Sequence, residues 1–121
     1  MLEYTLMNPE SILVLKPSAA LTKEDFVDLS ASVDRYLADH DSIHGVLIQS
    51  ESFPGWESFA GFAAHLRFVR DHQQKIERLA LVTDSAVAPV AEALARRFTA
   101  AEIRRFPYGE EEKALSWLKS A

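Results

Sequence analysis

The chain contains no cysteine. That excludes disulfides, thiolate nucleophiles and cysteine-ligated zinc or iron–sulfur centres, and removes one reason to expect an oxidising compartment. Long apolar runs are missing too. No segment approaches the roughly eighteen residues needed to cross a bilayer, and "MLEYTLMNPE" lacks the basic-then-apolar order of an export signal. The expectation is a cytoplasmic protein without a transmembrane segment. Basic charge is scarce, with 13 Lys and Arg against 18 Asp and Glu and a net charge of −5, so a broad cationic face for phosphates is not available and no nucleic-acid partner is expected. The few glycines form neither G-x-G-x-x-G nor G-x-x-x-x-G-K-[ST], and no cofactor is expected.

What remains is an ordinary globular composition, 48% apolar and 26% charged over 121 residues, which suits a single domain spanning residues 1–121 with a substantial core. Residues 3–7 and 11–16 read as an antiparallel hairpin around "NPES", and the continuous "ILVL" of the second strand suggests burial on both faces. "LTKEDF" is a helix start: Thr22 caps, Asp25 answers as the box carboxylate, and Leu21 and Phe26 form a staple. That helix runs to about His40. Further strands are expected at 45–50, 78–83 and 102–106, and further helices at about 57–75, after "TDSAVAP", and at 110–120. The order ββαβαβαβα implies a single α/β domain of about five mostly parallel strands and four helices joined by right-handed crossovers, with the strand order left open.

The patterns "ALTKEDF", "GWES" after a buried strand, "LRFVRDH", "ERLALVTDS" and "RRFPYGEEEKALSWL" cover nearly the whole chain. Together they resemble the SpoIIAA-like family, small bacterial proteins of STAS-like fold, itself loosely similar to lipid-binding CRAL-TRIO domains. The resemblance implies a five-stranded α/β domain, commonly without enzymatic activity. It does not carry over the phosphorylated serine of the anti-sigma antagonists. Their Asp-Ser turn follows the third strand, where this chain reads "QSESFPGWES"; its one Asp-Ser, Asp84-Ser85, follows the fourth.

Chemistry-bearing residues are few. His65 and His72 stand seven apart on one helix, about 10 Å along its axis, too far to share one metal ion unaided, so no metal is expected. Asp84 or Ser85 reads as a helix cap, as does one of Ser50, Ser52 and Ser58, since a hydroxyl without a neighbouring base is no nucleophile. Trp117 reads as core. Trp56 follows Gly55 at the carboxyl end of a buried strand, where open α/β sheets place ligands. On the 57–75 helix, Phe59, Phe62, Leu66 and Val69 share the face expected to cover the sheet, while Gly61, His65, Phe68 and His72 lie about a third of a turn away. That second stripe could be a subunit contact, a pocket lining or an extension of the core under another helix.

The leading expectation is a non-enzymatic STAS-like protein-interaction or regulatory domain, homodimeric through the 57–75 helix, with Phe53, Trp56, Gly61, His65, Phe68 and His72 as candidate partner- or ligand-binding residues. The alternative is a carrier or sensor of a small apolar, lipid-like ligand lodged near Phe53, Trp56 and Phe59. An enzyme of unknown class, using Glu57, His65 and His72, ranks third.

Overall fold

The computed structural model describes residues 2–7, 10–51, 55–56, 58–84, 89, 92–93, 96 and 101–120, and for Phe59 and Phe62 the backbone alone. Five strands, β1 (Leu2–Met7), β2 (Ile12–Pro17), β3 (Ile43–Gln49), β4 (Ile76–Val82) and β5 (Glu102–Phe106), form one sheet in the order β1-β2-β3-β4-β5. β1 is antiparallel to β2, as expected of the hairpin, and every other neighbour is parallel. Among the described residues the helices are α1 (Lys23–Leu37), α2 (Phe59–His72) and α3 (Glu111–Lys119), with a 3-10 turn over Gln73–Lys75. The helix expected after "TDSAVAP" falls mostly outside the described residues, of which Pro89, Glu92, Ala93 and Arg96 are helical.

Because each parallel strand lies beside its predecessor in one direction, right-handed crossovers set α1 and α2 on the same face of the sheet. α3 covers the opposite face. The buried runs therefore alternate: Leu13 and Leu15 join the cluster beneath α1 and α2, whereas Ile12 and Val14 join Leu47, Ala80, Val82 and Leu118 beneath α3. Continuous apolarity in "ILVL" follows from this two-sided burial.

α1 begins as its sequence indicates. Thr22 N donates to Asp25 Oδ2 at 2.9 Å and Asp25 N donates to Thr22 Oγ1 at 3.1 Å, and the staple residues Leu21 and Phe26 are buried. α3 is held from the sheet: Arg78 on β4 donates to Trp117 O at 2.7 Å and to Ser120 O at 3.0 Å, adding a cation and donors at the carboxyl end of the helix, where Ser120 N also donates to Trp117 O at 3.2 Å. Trp117 packs against the second cluster beside Phe106, as a core residue should. β5 lies at the far edge of the sheet, and Arg96 donates to its Ile103 carbonyl at 3.1 Å.

Candidate functional site

The structure sets the phase of α2 differently from the expectation. Gly61, Ala64, Phe68 and His72 are buried, whereas Leu66, expected in the core, is 55% exposed and Val69 only part-buried. The physical reason lies at Gly61. A Cβ there would stand 2.7 Å from Leu21 O, so α2 rests directly on the backbone leading into α1 and turns its small-residue stripe inward. Of the three readings of that stripe, Gly61, Phe68 and His72 follow the third, extending the core beneath α1. The subunit contact assigned to Gly61 and Phe68 is thereby corrected: both are consumed within the chain.

The stripe continues as a ladder of rings along the α1–α2 seam. Trp56, 37% exposed, donates its indole N–H to His65 Nδ1 at 3.1 Å. His65 stacks on Phe26 with ring centroids 4.8 Å apart, Phe26 meets Phe68 at 6.4 Å, and Phe68 stacks on His72 at 4.4 Å. At the far end His72 Nδ1 lies 2.8 Å from Phe68 O and Nε2 lies 2.8 Å from Asp34 Oδ1 on α1. The seam thus runs from a partly exposed tryptophan to an exposed aspartate through the half-buried His65 and the buried rings of Phe26, Phe68 and His72.

Trp56 owes its place to backbone. Leu21 N donates to Gly55 O at 2.8 Å and Leu21 bridges Trp56 in parallel, which ties the loop after β3 to the start of α1. Gly55 has φ +82°, a left-handed conformation that favours glycine. Ser58 then caps α2, its hydroxyl accepting from Gly61 N at 3.3 Å. Phe53, with Glu57 and the side chain of Phe59, lies outside the described residues.

The chemistry open to this seam is limited by how its groups are used. To accept from Trp56, Nδ1 of His65 must be bare, and burial lowers the His65 pKa from its ordinary value of 6.5, which favours the same neutral ring. Both ring nitrogens of His72 face oxygen atoms of the protein, and no hydroxyl stands beside either histidine in the contacts described. Asp84 accepts from Tyr108 N at 3.0 Å; the cap expected of Asp84 or Ser85 falls at residues outside the described ones. Among the described residues no group of three or more potential ligands is placed to hold a metal ion, and no helix is long and apolar enough to cross a membrane.

Two features lie away from the seam. At the amino end of the parallel strands, Tyr36 donates to Ser11 Oγ at 2.7 Å, His44 N donates to the same oxygen, and Ser42 bonds Glu77, lining an open polar depression. At the carboxyl end of β3, Gln49 Oε1 is buried without a hydrogen-bond partner among the described residues.

The profile of the SpoIIAA-like family matches residues 12–119. The chain belongs to that family. Its fold is shared with a crystal structure of an uncharacterised DUF3478-family protein with a SpoIIAA-like fold from Shewanella loihica PV-4, at a TM-score of 0.74 and 21% identity over 98% of this chain and 92% of the other. None of the curated proteins matches the chain. Membership of the SpoIIAA-like family supports a non-catalytic domain of regulatory type.

Phe26, Asp34 and Leu21 belong to the seam, although the sequence marks Phe26 and Leu21 only as a staple and does not single out Asp34 as a candidate. Phe26 and Asp34 share a face of α1 with the seam only once α2 is docked, so their signal lay in the helical period of α1 and needed its partner to be read.

Proposed function

We propose that this SpoIIAA-like domain is a non-enzymatic regulatory module that acts through protein contacts and works as a homodimer. The observation that carries the protein-contact reading is the exposed apolar rim of the α1–α2 seam. Trp56 bonds His65, Leu66 follows His65 and Val27 follows Phe26; these three are 37%, 55% and 56% exposed. Large apolar side chains left exposed on and beside the two helices, next to rings already committed to structure, suit recognition of another protein better than turnover of a substrate.

The test is a binding measurement on a defined partner. A protein captured from the native host by photo-crosslinking next to Leu66 would be purified and titrated against this domain, with Trp56 fluorescence as the readout. Leu66→Asp should weaken binding by about tenfold or more, as expected for loss of a buried apolar anchor. Equal affinity for wild type, Leu66→Asp and Trp56→Ala would overturn the assignment.

Gln49 Oε1, buried and without a hydrogen-bond partner among the described residues, favours a second reading, a small ligand at the carboxyl edge of the sheet with a donor to offer. Native mass spectrometry of protein purified gently from its host decides between them: a retained small-molecule mass supports the carrier, and a clean apo mass counts against it.

A further inference from the structure

The homodimer needs a surface, because α1 covers Gly61 and Phe68, the residues first assigned to it. We infer that the dimer forms about a twofold axis through the free edge of β1 and the adjoining flank of α1; this rests on the homodimeric reading above and gives it an interface. The surface is one continuous feature. β1 is an edge strand whose Glu3, Tyr4 and Thr5 are exposed, and an open depression of about 310 Å³ joins Leu2 and Tyr4 to Asp28, Ala31, Ser32 and Arg35 of α1. Tyr4 Oη and Ser32 Oγ, 2.6 Å apart, fix strand and helix at one level.

The sequence of this surface is complementary to itself. An axis passing at Tyr4 sets Leu2 opposite Leu6 of a second copy and Glu3 opposite Thr5, so no like charges meet on the strands. An axis passing between Ala31 and Ser32 sets Asp28 opposite Arg35 of the second copy, twice by symmetry, with two small side chains at the centre where the helices come closest. The Tyr4–Ser32 contact sets the two centres at one level, so one axis can pass through both. β1 and α1 both run against β2, and with about 3.3 Å per strand residue and 1.5 Å per helical residue, Leu2 lies about 6.6 Å and Asp28 about 5 Å from that axis on the same side.

Two further observations point to a second copy rather than an unrelated peptide. Asp28 and Arg35 are both exposed, and neither enters an ion pair among the described residues. They sit seven apart on either side of the small pair, which answers an antiparallel copy of the same helix. The open edge of β1 exposes every second backbone amide and carbonyl, and only another strand satisfies them in series. Pairing β1 with its copy would join two five-stranded sheets into one.

Sedimentation of the full chain, wild type and variants, over a wide concentration range tests this. Wild type should reach a dimer. D28R and R35D each bring like charges together at two places and should raise the dimer dissociation constant by about tenfold or more. The double variant D28R/R35D restores opposite charges and should return dimerisation to near wild type. Circular dichroism checks that these surface substitutions leave the fold intact. A monomeric wild type overturns both the homodimer and its interface. A dimer indifferent to D28R overturns the interface alone, and failure of the double variant to recover overturns the twofold register.

Discussion

Gly61→Ala is the most direct perturbation of the contact that sets the phase of α2. In an open helical position alanine gains up to about 1 kcal/mol over glycine, through helix propensity and reduced freedom of the unfolded chain. Here the new methyl would stand 2.7 Å from Leu21 O, a backbone atom. Leu21 has little room to yield: the residue is 3% exposed and its N–H is bonded to Gly55 O at 2.8 Å. Overpacking of this kind costs about 1–3 kcal/mol, so the net expectation is a destabilisation of about 1 kcal/mol, reaching about 2. For a domain of this size that corresponds to a fall of about 4 °C in Tm. Urea unfolding followed by circular dichroism measures it. The indole N–H resonance of Trp56 should shift as well, because Leu21 carries the loop that places Trp56 against His65. A variant more stable than wild type by about 1 kcal/mol, with an unmoved Trp56 signal, would refute the close approach and with it the inward orientation of the Gly61 stripe.

Three other outcomes follow from the packing. His65 has its folded-state pKa lowered by burial, so the unfolded chain binds the extra proton more readily; its contribution to stability is complete above 6.5 and is lost as pH falls through the lower folded-state value. Urea midpoints measured between pH 8 and 5 should therefore drop on the acid side in wild type and less so in His65→Asn; equal drops would remove His65 as the cause. Phe68→Asp places a carboxylate where only 8% of the residue is exposed, between Phe26 and His72, and should cost at least about 4 kcal/mol, seen as loss of the cooperative transition; a folded variant impaired only in self-association would restore Phe68 to a subunit contact. In Arg78→Lys the Nη1 that reaches Trp117 O and Ser120 O, fixed by a planar guanidinium 5.2 Å over the Trp117 ring, gives way to an ammonium on a flexible stem, which should cost about 1–2 kcal/mol with faster amide exchange in the last turn of α3; unchanged exchange there would show that the helix end is held by other means.

The fold was legible where local chemistry and burial agree. The capping box at Thr22 and Asp25, the hairpin and the two-sided burial of "ILVL" each need only neighbours in sequence to be recognised, and each is present. Strand order was not legible, since it is settled by pairings between residues some thirty apart, such as Leu13 with Val46 and Val46 with Leu79. The phase of α2 was misread for a different reason. Counting apolar side chains favours the stripe with Phe59, Phe62, Leu66 and Val69, but the inward face contains a glycine and two histidines. Gly61 contributes by having no side chain, and His72 is tolerated in the core because Phe68 O and Asp34 meet both its nitrogens. Neither property registers as hydrophobicity. Both depend on Leu21 and Asp34, far off in the chain, so sequence can place Gly61, His65, Phe68 and His72 along one helix but not the direction in which that stripe faces.

Once α2 is turned, α1 emerges as the element that separates two surfaces. Asp34 bonds His72 on one of its flanks, and Val27, about a full pair of turns earlier, lies on that same flank by helical period; Ser32 meets Tyr4 on the other, in line with Asp28 and Arg35. A dimer closed across β1 would therefore leave both copies of the Trp56 and Leu66 rim facing outward, free for a second protein. The two sets of side chains share no described contact, so their effects should be independent. D28R should dissociate the dimer while leaving partner affinity per chain unchanged, and Leu66→Asp should weaken the partner while leaving sedimentation unchanged. Simultaneous loss of both functions in either folded variant would place partner and second copy on one shared surface, and the division of labour across α1 would fall.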